Sequence, residues 1–95
     1  MNTKNDLHWG GVDVYNDRET GERVLVYSAK LNLDGERSVR LYREDRWAKD
    51  LAIWDPNNTM THRAYWFGKR EDRQPAFSTQ ERCIEAAEKQ LALVA

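Results

Sequence analysis

From Tyr27 to Leu33 and again from Ser38 to Leu41 the chain alternates apolar and polar residues with period two, the two runs being separated by a stretch that contains Asp34-Gly35. Such alternation sends successive side chains to opposite faces of a strand, and Asp-Gly between two such runs is a strong hairpin signal. A second turn signal, "NDRETGE" (Asn16–Glu22), separates "GVDVY" from this region. Together they predict a meander of three strands, roughly Trp9–Tyr15, Arg23–Leu33 and Arg37–Arg43. The alternation also assigns faces. Leu25, Tyr27, Ala29, Leu31 and Leu33 share the inward side of the second strand, and Val39 and Leu41 match them on the third. Ser38, Arg40 and Tyr42 point outward.

The next stretch, "EDRWAKDLAIWDPNN", supports two readings. Trp47, Leu51 and Trp54 have helical spacing, with Ala48 and Ala52 beside them, whereas period two gives a mixed strand. A short helix over 46–54 is the favoured of the two, followed by a turn at Asp55-Pro56-Asn57-Asn58. "MTHRAYWFGK" (Met60–Lys69) reads as a fourth strand and "REDRQP" as a polar connection. In "FSTQERCIEAAEKQLALVA", Ser78 followed by Glu81 has the pattern of a capping box, and Glu85–Lys89 is a favourable i, i+4 pair. Ile84, Ala87, Leu91 and Val94 form one apolar stripe, so the chain ends in an amphipathic helix. The predicted architecture is α+β: a four-stranded, mostly antiparallel meander with the C-terminal helix packed on one face.

With 95 residues the chain has room for a single domain, 1–95, in which residues 1–8 are expected to be a flexible N-terminus. A mean hydropathy of −0.90 and the lack of a long apolar run leave no candidate membrane span. No apolar signal-peptide core follows Met1, and the single cysteine, Cys83, cannot build a disulfide framework. These features lead to the expectation of a cytoplasmic, reducing location. The net charge of −1 argues against a strongly basic nucleic-acid binder, although its distribution is uneven. Residues 1–36 hold four Lys/Arg against seven Asp/Glu, and residues 37–75 hold nine against six.

Catalytic and metal-binding patterns are weak throughout. His8 and His62 lack metal-ligand spacing to other His, Cys or carboxylate residues, although Asp6 lies two positions before His8. Cys83, beside the Ile84/Ala87 stripe, reads as a small buried apolar residue rather than a helix-activated thiol. Ser28, Ser38 and Ser78 lack a nucleophile-elbow context, and Gly10-Gly11 is not a phosphate loop. Glu44-Asp45 and Glu71-Asp72 read as solvated acidic pairs in charge-alternating loops. The expectation is therefore a non-enzymatic protein with no cofactor and no bound metal.

Binding is better supported, through "RAYWFGK" (Arg63–Lys69). Alternation puts Met60, His62, Ala64, Trp66 and Gly68 on one face, expected beneath the helix. It puts Thr61, Arg63, Tyr65, Phe67 and Lys69 on the other. That second set, with Arg40 and Tyr42 beside it, makes an outer face of cations and aromatics, the residue types favoured at interfaces. The candidate partner-binding residues are Arg40, Tyr42, Arg63, Tyr65, Phe67 and Lys69. The lead expectation is a protein-binding domain, by analogy of size and composition a phage or mobile-element inhibitor or adaptor that covers a surface of a larger host protein. A homodimer through the same face is a further reading. The alternative is a nucleic-acid-binding module, with bases stacked on Tyr65 and Phe67 and phosphates met by Arg40, Arg63 and Lys69. The "FSTxE" junction, Phe77–Ala87, resembles the strand-to-helix step of phage-integrase and ethylene-response-factor DNA-binding domains. The 45–60 segment and the near-neutral charge depart from that pattern, so the resemblance identifies no family.

Overall fold

The computed structural model describes residues 7–32, 37–48, 60–73 and 76–94. Among the described residues, strands β1 (Gly10–Asn16), β2 (Arg23–Asn32), β3 (Ser38–Trp47) and β4 (His62–Phe67) precede one helix, α1 (Gln80–Val94). The strands form one antiparallel sheet in the order β1-β2-β3-β4, as the meander pattern predicts. The expected Asp34-Gly35 turn and the expected helical segment beyond Ala48 lie outside the described residues.

The β1–β2 turn closes on Asp17. Its N–H donates to the Glu22 carbonyl at 2.8 Å and its carbonyl accepts from Gly21 N–H at 2.7 Å. Gly21 has a φ of 78°, a conformation that a side chain would strain. At the other end of the sheet Gly68, with a φ of 106°, turns the chain out of β4 two residues before the expected strand end at Lys69.

Two departures from expectation concern the sheet. First, β3 does not stop at Arg43. It continues through Glu44, Asp45, Arg46 and Trp47, which pair with Val26–Arg23 of β2. Trp47 thus belongs to a strand, not a helical turn. Glu44 and Asp45 are buried rather than solvated loop acids. Arginines meet both carboxylates, which is what permits charges inside a strand.

Second, the faces of β4 are reversed. Leu41 pairs with Phe67 and Arg43 with Tyr65, so Tyr65 and Phe67 share the face of Leu31 and Leu41. Tyr65 packs with Leu31, Leu41, Cys83, Ile84 and Ala87, and Phe67, Phe77, Trp9 and Leu7 close around them. Leu7, expected to belong to a flexible N-terminus, packs against this core, while residues 1–6 lie outside the described residues. Trp66 lies on the opposite face, where it forms a second, smaller core with Val24, Val26 and Tyr42. Alternation separates Trp66 from its neighbours but does not state which side faces the helix. Here the larger helix-side core takes two rings and the smaller one takes the indole.

The second core has its own cover. The chain after Gly68 folds back so that Trp66 Nε1 donates to the carbonyls of Lys69, at 3.1 Å, and Arg70, at 3.0 Å. The Arg73 guanidinium lies 5.5 Å from the Trp66 ring centre. On the helix side, α1 buries Cys83, Ile84 and Ala87, as the apolar stripe predicts, while the Leu91 and Val94 side chains fall outside the described residues. The helix cap is Thr79, not Ser78: its hydroxyl accepts from Arg82 N–H at 3.2 Å, and Glu81 sits in the first turn.

Candidate partner-binding surface

The residues expected to form one binding face are divided between two. Arg40 and Tyr42 lie on the Trp66 side, Arg63, Tyr65 and Phe67 on the helix side, and Lys69 beyond the end of β4. Tyr65 is 7% exposed and its ring lies 6.1 Å from that of Trp9. Phe67 stacks on Phe77 at 6.5 Å, and Tyr42 stacks on Trp66 at 5.7 Å. Tyr65 and Phe67 are therefore packing residues, and the outward cation–aromatic alternation expected of β4 is corrected. Arg40 and Lys69 remain exposed, with Arg40 Nη1 donating to Ser28 Oγ at 3.4 Å.

Arg63 is occupied as well. Its Nε and Nη2 donate to the two Asp45 oxygens at 2.7 and 3.2 Å, and Arg43 Nε lies 3.2 Å from the same carboxylate. Arg43 also stacks over Tyr27, 4.1 Å from the ring centre. On the other face Arg46 gathers three acids: Asp17 at 2.9 Å, Glu22 at 3.1 Å and Glu44 at 2.9 Å. Arg73 reaches Glu44 at 2.6 Å, and Arg70 pairs with Asp13. The hydrogen bond from Arg46 holds the Asp17 carboxyl below its usual range. Glu22 is also held low, because donors from Thr61 and Arg46 outweigh the opposing effect of desolvation. The cations of the middle segment thus serve mainly as internal counter-charges.

What stays open is β1. Every residue of β1 is exposed, and Val12, Val14 and Tyr15 are the exposed large hydrophobics among the described residues. The strand bulges between Gly11 and Asp13. There Val12 and Val14, with Leu25 and Tyr27 of the helix-side face, line an open hollow of about 430 Å³. The opposite edge of the sheet is closed by a bridge in which Tyr65 and Phe77 exchange backbone hydrogen bonds at 2.8 and 2.7 Å. Among the described residues β1 has no such partner. Its Val14 N–H is held instead by the Asp13 carboxylate at 2.8 Å. A second hollow, of about 460 Å³, opens at the Gly10 end and is lined by His8, Ser28, Lys30 and Arg40. Lys30 and Arg40 are directly opposite each other across β2 and β3.

Sequence reasoning passed over Val12 and Val14. The signal was available in the strand order: the first strand of a meander is an edge, and a C-terminal helix packed at the far end of the sheet does not reach it. The groups tested for chemistry stay apart. Cys83 is buried and burial pushes its thiol up to about 12, while His62 is exposed, 4.0 Å from Glu22. Among the described residues no three His, Cys, Asp or Glu side chains come together to hold a metal ion. Nor is any described helix long and apolar enough to cross a membrane.

No protein-family model matches the chain, and no curated protein or solved structure is significantly similar to it. Its class is defined by the fold alone: a small α+β domain, antiparallel meander plus C-terminal helix, whose first strand has a free edge among the described residues.

Proposed function

We propose that this chain is a non-enzymatic protein-binding domain that takes an extended segment of its partner onto the free edge of β1. One observation carries the reading: the exposed large hydrophobics of the described residues all lie on that one edge strand. An edge offers main-chain donors and acceptors for affinity, and the Val12/Val14 hollow offers side-chain selectivity, as strand addition requires. Asp13 is the one charged side chain of β1, and Arg70 already pairs with it, so little charge opposes a docking strand. A domain that acts by occupation in this way serves as an adaptor or an inhibitor.

The nucleic-acid alternative has less to work with. Arg43, Arg46, Arg63, Arg70 and Arg73 are engaged by carboxylates, and the rings expected to stack on bases are packed inside. Exposed cations outside these pairs include Arg18 in the β1–β2 turn, Lys30 and Arg40 on the sheet, Lys69 beyond β4, and Arg82 and Lys89 on α1, spread over several elements rather than gathered on one face.

The test is a photo-crosslinking amino acid placed at Val14, with Lys69 and Arg82 as control positions, in an extract of the cells that make the protein. Protein adducts confined to position 14 and resistant to nuclease are expected. Equal adducts at all three positions would remove the edge as the site. Nuclease-sensitive capture centred on Lys69 would favour nucleic acid.

A further inference from the structure

We infer that the segment fitting the β1 edge is β1 of a second copy, paired antiparallel about a two-fold axis at Val14. The inference rests on the proposal that this edge is a docking surface, and it names the partner. A strand meeting its own copy across a two-fold axis must be antiparallel, and residues facing one another must lie on the same side of the sheet. Registers centred on Asp13, Val14 or Tyr15 satisfy this on β1. Centring on Asp13 sets two carboxylates directly opposite, which is destabilising. Centring on Tyr15 keeps like sides together but sets Asp13 opposite Asp17 of the other copy. Centring on Val14 avoids both: Val14 meets Val14 of the other copy and Asp13 comes opposite Tyr15. Val14 is also where the strand carries a backbone N–H satisfied by a side chain, Asp13, at 2.8 Å. An incoming carbonyl can replace that carboxylate, which keeps Arg70 as its partner.

Charge complementarity reinforces the choice. In the antiparallel pair, the β1–β2 turn of one copy runs alongside the Gly10 end of the other. That turn carries Asp17, Glu19 and Glu22 against Arg18, with Glu19 exposed. The Gly10 end presents the hollow lined by His8, Lys30 and Arg40. Lys30 and Arg40 face each other with no carboxylate between them among the described residues, an arrangement that an incoming acid relieves. The two-fold axis makes this contact twice and joins two four-stranded sheets into one of eight. The exposed valines then meet across the seam on the helix-side face.

The experiment is sedimentation analysis of the full chain up to about 1 mM, the weak end of specific association. The unaltered chain is expected to show dimer mass. Val14→Lys should be monomeric with unchanged circular dichroism. Glu19→Lys and Lys30→Glu should each weaken the dimer about tenfold, and the two together should restore it. A wild-type monomer throughout, or a Val14→Lys chain that dimerises as tightly as wild type, would overturn self-pairing. If instead the swapped charges fail to rescue each other, the antiparallel Val14 register is wrong. A monomer that still crosslinks another protein from position 14 would leave the docking edge standing and refute the second copy as its occupant. Absence of both sinks both.

Discussion

Arg46 donates from Nε to the Glu44 carboxylate at 2.9 Å, two residues away on the same face of β3, and both side chains are buried. Arg46 also binds Asp17 and Glu22 in the β1–β2 turn, so one guanidinium ties that turn to the middle of the sheet. Breaking a buried pair from one side leaves a charge without its counter-ion, which typically costs about 3–5 kcal/mol. Arg46→Met is expected to lose stability on that scale in urea unfolding. Glu44→Leu combined with Arg46→Met should recover part of the loss, since a matched apolar pair needs no counter-charge. If the single variant matches wild type, the network contributes nothing to the fold.

The same cluster sets a pH dependence. Asp17 and Glu22 both titrate below their ordinary values of 3.8 and 4.5, through hydrogen bonds formed in the folded state. A carboxyl depressed by folding contributes stability above its unfolded pKa and loses it as pH falls through the folded one. Wild-type stability should therefore be flat with respect to these groups at neutral pH and decline below about pH 4.5. Arg46→Met should show a shallower decline, because the main donor to Asp17 and one of the donors to Glu22 are gone. Urea midpoints at neutral pH and in the acid range measure this, and parallel curves for the two chains would argue against the assignment.

How far the sequence revealed these features depended on which physical signal each one leaves. The meander was legible because turn residues and period-two alternation act locally, and α1 because its apolar stripe has a single reading. Faces of β4 were not legible. Tyr65, Trp66 and Phe67 are consecutive aromatics, so both sides of the strand look suitable for a core, and only pairing with Arg43, Tyr42 and Leu41 decides between them. The "EDR" of β3 was misread because charges mark loops unless their counter-charges are known. Besides Arg43 and Arg46 in the strand itself, those lie at Arg63 and Arg73 and at Asp17 and Glu22, distant in sequence. The β1 edge left a weak signal, two valines, whose importance comes from what fails to cover them.

The reversal of β4 makes a sharp prediction. Tyr65 sits against Cys83 and Ile84 with its ring near Trp9, so truncation opens a cavity in the main core. Tyr65→Ala is expected to destabilise by about 3–5 kcal/mol, the range for large aromatics lost from a core. Arg40→Ala, at an exposed position on the other face, should fall within about 0.5 kcal/mol of wild type. Comparable small effects at both would restore the outward assignment of Tyr65.

The helix start separates two adjacent candidates. Thr79 holds the Arg82 N–H, whereas Ser78 is exposed and lies one residue outside the cap. Thr79→Ala should cost about 0.5–2 kcal/mol and Ser78→Ala almost nothing. Thermal unfolding of the two variants side by side distinguishes them, and the opposite ranking would move the cap to Ser78.

Cys83 reports on the whole fold from one atom. It lies one turn inside α1 and faces the sheet, 1% exposed, and burial alone pushes its thiol up to about 12. Nearness to a helix N-terminus ordinarily lowers a thiol's pKa, but desolvation disfavours the thiolate and here dominates. The native protein should therefore react negligibly with a disulfide reagent at pH 8, and labelling should require opening of the α1–sheet contact. Under these conditions the labelling rate should follow the equilibrium population of the open form and rise with urea alongside loss of helical signal. Tyr65→Ala, by weakening the same contact, should accelerate labelling while the reagent's chemistry with a free thiol stays unchanged. Rapid, urea-independent labelling of the wild type would mean that Cys83 is accessible in the native state and that α1 does not seal this core.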